Sequence, residues 1–263
     1  MIAGRAIPRK IGGITGRIMK KSIVCGVLAA ALFSAPALAA DLPKGPVYKA
    51  APAPVFNWTG FYGGVNAGYA WDPNYVFNSP ADAFTVVLPL ELQGGFGGVQ
   101  LGYNWHYARN WLFGIEADFQ FASLKDTAIF SVQTPGDSFA SLAIQHFATL
   151  RGRFAYVQDR NLFYVTGGAA IANFKANVLA DFDTGDGIIN GNKWLGGYVV
   201  GLGFERAFGN NWSLKFEYLY IDFAHLNLTG VRVPTGEQVT LSGDPYMHLV
   251  RLGLNLRFSS GMP

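Results

Sequence analysis

Eight ionisable residues lie on segments that otherwise alternate between apolar and small side chains. Glu116, Asp118, Glu205 and Glu217 are four carboxylates; Arg151, Arg153, Lys215 and Arg251 are four cations. Along 111–121, Phe113, Ile115, Ala117 and Phe119 interleave with Gly114, Glu116, Asp118 and Gln120. Along 212–223, Leu214, Phe216 and Tyr218 interleave with Lys215 and Glu217. A strand sends successive side chains to opposite faces, so the charges share one face and the aromatics the other. If the charged face is enclosed, each ion must be paired or hydrated, because isolated burial is very costly. The expected chemistry is an ion-pair network. It serves packing and register in one reading and an ion gate with exchangeable pairs in the other; packing is the expectation.

Other candidate constellations are weaker. Asp137, Ser138 and His146 could supply the acid, nucleophile and base of a lipid-modifying enzyme, but nothing in their spacing requires it. Asp181-Phe182-Asp183-Thr184-Gly185-Asp186-Gly187 begins like a calcium loop and then departs from it, with Asn192 where the last ligand, a Glu, should stand. A solvated polar loop is the expectation there. His106, His146, His225 and His248 have no metal-ligand spacing. No Gly-x-Ser-x-Gly elbow occurs, and Gly201-Leu202-Gly203 lacks the third glycine of a dinucleotide fingerprint. No catalytic residue, cofactor or metal ligand is expected, and the chain reads as a non-enzyme.

The elements that must position the charges are strands. In 56–71, Phe61, Val65, Ala67, Tyr69 and Trp71 fall on one face; Tyr62, Gly64, Asn66, Gly68 and Ala70 fall on the other. The same period recurs at roughly 96–106, 111–121, 144–156, 162–174, 194–208, 212–223 and 248–258. The turns at 107–110, 158–161 and 209–211 end alike, in Arg109-Asn110-Trp111, Arg160-Asn161-Leu162 and Asn210-Asn211-Trp212. Longer connections at 72–94, 123–143, 175–193 and 224–246 separate the pairs. An aromatic face against a face of glycine and scattered charge inverts a soluble core. It predicts an all-β transmembrane up-and-down antiparallel barrel of eight strands, with short periplasmic turns and four long extracellular loops. The alternative, a soluble barrel around an apolar cavity, would put its charges outside.

Composition agrees. The 263 residues are 14% charged and 15% aromatic, with 33 glycines. Soluble domains average about 25% charged. Beyond the leader no apolar run reaches the ~18–20 residues of a spanning helix, and only closed barrels otherwise satisfy the backbone in hydrocarbon. Residues 1–39 read as a signal peptide: Lys20 and Lys21, the apolar run 23–33, and a small-residue site cleaved between Ala39 and Ala40. Met19 reads as the natural start, with 1–18 an extension. Six of the 20 Lys/Arg and none of the 17 Asp/Glu lie in this leader, so the mature chain is acidic and the basic overall balance does not argue for nucleic acid. Cys25, the one cysteine, is also in the leader, which excludes a disulfide scaffold. Residues 40–56 form a Pro/Ala-rich periplasmic linker, 57–258 the barrel and 259–263 a short tail.

Several stretches carry a resemblance: Phe56-Asn57-Trp58-Thr59-Gly60-Phe61-Tyr62-Gly63-Gly64, Arg151-Gly152-Arg153, Tyr164-Val165-Thr166-Gly167-Gly168, 212–220 and the closing 250–258. Together they resemble the Omp25/Omp31 family, porin-like surface-antigen barrels of the alphaproteobacterial outer membrane. The resemblance spans nearly all of the mature chain, on framework motifs rather than a catalytic signature. It implies a structural role in the cell envelope of a Gram-negative bacterium and residence in the outer membrane. It also implies peptidoglycan attachment at a mature N-terminal Ala-Asp, which Ala40-Asp41 matches. Val250, Leu252, Leu254, Leu256 and Phe258 stand where the family carries its assembly signal, although Ser259–Pro263 follow that terminal aromatic. The expected partners are outer-membrane lipid and lipopolysaccharide, the barrel-assembly machinery and peptidoglycan, with a monomer as the expected state. A narrow channel for ions or small solutes ranks second. A surface ligand or adhesion barrel, or a lipid-modifying enzyme, ranks third.

Overall fold

Alternation closes the chain into a ring. The computed structural model describes residues 56–72, 75–79, 84–88, 90–130, 138–182, 185–233 and 235–258. The described residues belong to one compact unit, 54–263. Ala39, Ala40, Asp41, Asp137 and the tail 259–263 lie outside them.

Twelve strands run β1 (Gly60–Trp71), β2 (Tyr75–Ser79), β3 (Phe84–Leu88), β4 (Gln93–Ala108), β5 (Trp111–Phe130), β6 (Ser138–Gln158), β7 (Asn161–Phe182), β8 (Gly185–Phe208), β9 (Trp212–Phe223), β10 (Leu226–Val233), β11 (Gln238–Gly243) and β12 (Tyr246–Phe258). Eight of them, β1, β4, β5, β6, β7, β8, β9 and β12, pair antiparallel in that order, and β12 returns to β1. No strand of the ring keeps a free edge at membrane depth, as hydrocarbon demands.

The short turns tie the ring together at its periplasmic end. Asn110 donates through Nδ2 to Val157 O at 3.0 Å and accepts from Val157 N at 2.7 Å. Asn211 does the same for Arg257, at 3.1 and 2.7 Å. In these two turns the asparagine thus satisfies the end of a neighbouring strand; in the third, Arg160 O accepts from Ala207 N at 2.8 Å. Asp159 and Gly209 turn the chain through positive φ, 53° and 62°.

The outer connections differ from the expectation of long loops. Segments 123–130, 138–143, 175–182 and 185–193 continue as strand, and β7 and β8 reach 22 and 24 residues. Crossing the bilayer takes only about 9–11. The remaining two connections hold the hairpins β2–β3 and β10–β11, and the latter joins the outer end of β8 through Val231–Ile188. The physical reason is a second core. Leu124, Leu142, Phe174, Val178, Ile189, Leu228 and Leu241 turn inward and bury one another at the outer end of the barrel. Register shifts between Phe121 and Leu124 and between Ile144 and Phe147 adjust the pairing at this level. In β6 the second shift moves the inward face from even to odd positions, from Ile144 to Phe147.

Candidate functional site

The inward side chains of the ring form three levels. At the periplasmic end, Trp58, Leu112, Ala155, Val157, Leu162, Tyr164 and Ala207 pack into an apolar floor, with Phe56 against it. Above it lies the charged layer. Above that, Phe96, Phe147, Leu195, Phe223 and Leu249 belong to the outer apolar core. The expected outward set is indeed outside: Phe61, Leu101, Ile115, Leu150, Leu202 and Leu252 are more than 45% exposed. The inside is not simply polar, however. It is a salt-bridged layer between two apolar ones.

The eight predicted charges meet in that layer, and all are buried. Neighbouring strands bring Arg151 opposite Glu116 and Arg251 opposite Glu217 in register. Arg151–Asp118 also joins these neighbours, Lys215–Glu217 lies within β9, and the remaining contacts cross the lumen. Arg151 pairs with Glu116, with Asp118 at 3.1 Å and with Glu217 at 3.1 Å. Arg251 reaches Glu217 at 2.6 Å, Asp118 at 3.1 Å and Glu116 at 3.2 Å. Lys215 Nζ lies 2.8 Å from Glu116 and 3.3 Å from Glu217. Arg153 binds Glu205 at 3.1 Å. Four positive charges therefore neutralise four negative ones in contact, which is the condition for burying any of them.

Neutral side chains complete the layer, and sequence reasoning did not single them out. Tyr62 donates to Glu116 Oε2 at 2.7 Å and Thr149 to Asp118 Oδ2 at 2.7 Å. Asn104 Oδ1 accepts from both Nε and Nη2 of Arg153, at 2.8 and 2.6 Å, and Asn255 Nδ2 donates to Glu205 at 2.8 Å. The Arg153 guanidinium also stands over the Tyr62 ring, 4.6 Å from its centre. Inward position on an alternating strand was the available signal for these residues. Two inward glycines make room for the rings: a Cβ on Gly102 would lie 2.3 Å from Tyr62 Cζ, and one on Gly203 would lie 2.3 Å from Tyr164 Cζ.

The structure does not bring Ser138 and His146 together. Ser138 is buried on the inner face of β6, whereas His146 stacks on Phe119 at 5.9 Å, on the outer side. Eight residues of strand separate the two, about 26 Å, so they do not form a reacting pair. Among the described residues no group of three or more His, Cys, Asp or Glu could hold a metal ion. At the two ends of the calcium-like stretch β7 pairs with β8, Asp181 opposite Asp186, while Asp183 and Thr184 lie outside the described residues. Asn192 sits on β8 opposite Lys175. On the closing strand, Leu252, Leu254 and Phe258 face out, with Val250 and Leu256 partly covered.

A closed antiparallel ring with an aromatic exterior and a neutralised charged interior defines the class: an outer-membrane β-barrel protein of the Gram-negative envelope. The chain belongs to the outer membrane protein beta-barrel domain family, whose profile matches residues 25–258, and within it to the Omp25/Omp31 type. It is 36% identical to the 31 kDa outer-membrane immunogenic protein of Brucella melitensis over 258 residues, covering 91% of this chain and 100% of that one. A 22 kDa outer membrane protein of Rhizobium leguminosarum is 30% identical over 175 residues, 65% of this chain and 66% of its own. The solved outer membrane protein OprG of Pseudomonas aeruginosa aligns over 76% of this chain and 98% of its own, at 10% identity and a TM-score of 0.45.

Proposed function

We propose that this barrel is a structural element of the outer membrane, closed to ions and without enzymatic activity. One observation carries the reading: the salt-bridged layer lies between an apolar floor and an apolar outer core. A conducting path needs continuous water. In an eight-stranded barrel the interior is just wide enough for side chains to fill, and here they fill it in three strata. Refolded mature protein, residues 40–263, is expected to give no unitary conductance in a planar bilayer when its folding is verified in parallel. A steady conductance proportional to salt concentration would replace this reading with the narrow-channel one.

The structural role extends to the cell wall through the linker. Phe56, where the linker meets the barrel, is held between two guanidinium groups, Arg257 at 4.3 Å and Arg160 at 5.6 Å from the ring centre. Arg257 also donates to Asn57 O. The sixteen residues 40–55 can extend about 50 Å at ~3.1 Å per residue, so the freed α-amine of Ala40 has reach to act as acyl acceptor for a peptidoglycan stem. Lysozyme-released native protein is expected to carry a muropeptide mass on its N-terminal Ala40-Asp41 peptide. An unmodified N-terminus throughout would remove the covalent tether and leave the barrel reading intact. Lipopolysaccharide contact on the outer face and assembly through 250–258 complete the proposed partners.

A further inference from the structure

Glycines on this barrel fall into two kinds. Inward ones face crowded side chains. Gly152 and Gly167 differ: they are outward, pair directly across β6 and β7, and have open space above them. A Cβ on Gly152 would come no nearer than 3.9 Å to any neighbour, and one on Gly167 no nearer than 3.5 Å. Interior packing therefore does not require either glycine. Their bare backbone instead forms the floor of a groove of about 460 Å³ in the membrane-facing surface, walled by Trp105, Phe113, Phe154 and Val165. Phe113 and Phe154 stand 4.9 Å apart, centre to centre, along one wall.

The periplasmic rim beside this groove is basic. Arg109 lies in the β4–β5 turn, a few residues before Phe113. Arg160 lies in the β6–β7 turn, and Arg206 points outward from β8, paired with Asn161. All three are exposed, and among the described residues neither Arg109 nor Arg206 has an acidic partner. The acidic residue of these turns is Asp159. Ile115, opposite Gly152, is four residues above Trp111, about 13 Å along the strand. An apolar slot at hydrocarbon depth with unpaired cations at headgroup depth below it has the shape and charge of one ligand class.

We infer that the outer face of β5–β7, together with Arg109 and Arg206, is a binding site for a single anionic phospholipid of the inner leaflet. An acyl chain fills the Gly152–Gly167 groove, and the headgroup lies in the positive field of Arg109 on one flank and Arg206 on the other, as juxtamembrane basic residues attract anionic lipid. The site lies on the exterior, so it is independent of whether the interior conducts or the linker is tethered.

The test is native mass spectrometry of the full mature barrel, refolded in mixed phosphatidylglycerol and phosphatidylcholine. Wild type is expected to retain phosphatidylglycerol over phosphatidylcholine by about fivefold or more. Gly167→Leu fills the groove and is expected to abolish retention of both lipids. Arg109→Gln with Arg206→Gln is expected to keep retention and lose the preference. Both variants are expected to keep the wild-type unfolding temperature, since the altered groups make no interior contact. Absence of a preference in wild type, undiminished retention in Gly167→Leu, or an undiminished preference in the arginine variant overturns the site.

Discussion

Arg151→Ala is expected to lower the stability of the barrel by about 3–5 kcal/mol, the range for removing one partner of a buried ion pair. The size follows from what Arg151 touches. Glu116, Asp118 and Glu217 all share its guanidinium, and each is buried. Alanine leaves four carboxylates facing three cations, in a layer whose charged side chains are all buried. The destabilisation comes from the stranded carboxylates more than from the lost contacts, because a well-packed apolar replacement of a whole pair is often neutral. A second variant separates the two causes. Arg151→Ala with Glu116→Gln restores three against three and is expected to recover part of the loss, the remainder being the void left by the side chain. The measurement is reversible urea unfolding in lipid vesicles, followed by tryptophan fluorescence. An unchanged midpoint for the single variant would mean that the charges are not energetically joined. A double variant no more stable than the single one would mean that charge balance is not the cause.

Trp58→Ala carries the second large expected effect, again about 3–5 kcal/mol, as for a large aromatic deleted from a core. Trp58 is fully buried, and its indole NH donates to Asp159 O at 3.3 Å across the periplasmic mouth. Phe56 packs edge-on against it at 5.0 Å, and Arg257 stands over its ring at 5.5 Å. Removing it opens the floor and loosens the point where the linker meets the barrel. The same variant is expected to stay silent in a planar bilayer, because the salt bridges and the outer core remain above the hole. Equilibrium unfolding reads the first effect and conductance the second. Loss of stability with the appearance of current would mean that the floor alone holds the barrel closed.

Much of this architecture is legible in the chain itself. Strict alternation from Phe61 to Trp71, from Gly97 to Trp105 and from Trp111 to Phe121 fixes which side chains meet lipid, because a strand's geometry leaves no other choice. The repeated turn ending of an asparagine and then Trp or Leu marks the periplasmic end. Balanced inward charge on five of the eight strands predicts an ion-pair network before any contact is known, since unpaired burial is prohibitive. Which carboxylate meets which cation is another matter. Arg151 and Glu217 come from strands that are not neighbours, and only closure of the ring with a particular stagger brings them together. The neutral members, Tyr62, Asn104 and Asn255, enter for the same reason.

The outer half of the barrel shows where periodicity stops deciding. Tyr218-Leu219-Tyr220-Ile221 is apolar on both faces, so the alternation that separates inside from outside vanishes there. Leu219 and Ile221 turn out to join a core, while Tyr218 and Tyr220 gather around His248, whose Nδ1 lies 2.7 Å from the Tyr218 hydroxyl. Polar composition over 175–193 suggests a loop, yet β7 and β8 pair through it because Phe174, Val178 and Ile189 find buried partners on other strands. The shift between Ile144 and Phe147 exchanges the two faces of β6 with no local marker. The sequence by itself determined the strands, the membrane-facing surface and the charges that must be neutralised, all consequences of local geometry and of desolvation. Only the tertiary structure decided the partners, the two apolar layers and the height of the barrel, because each depends on what closure of the ring places across the lumen.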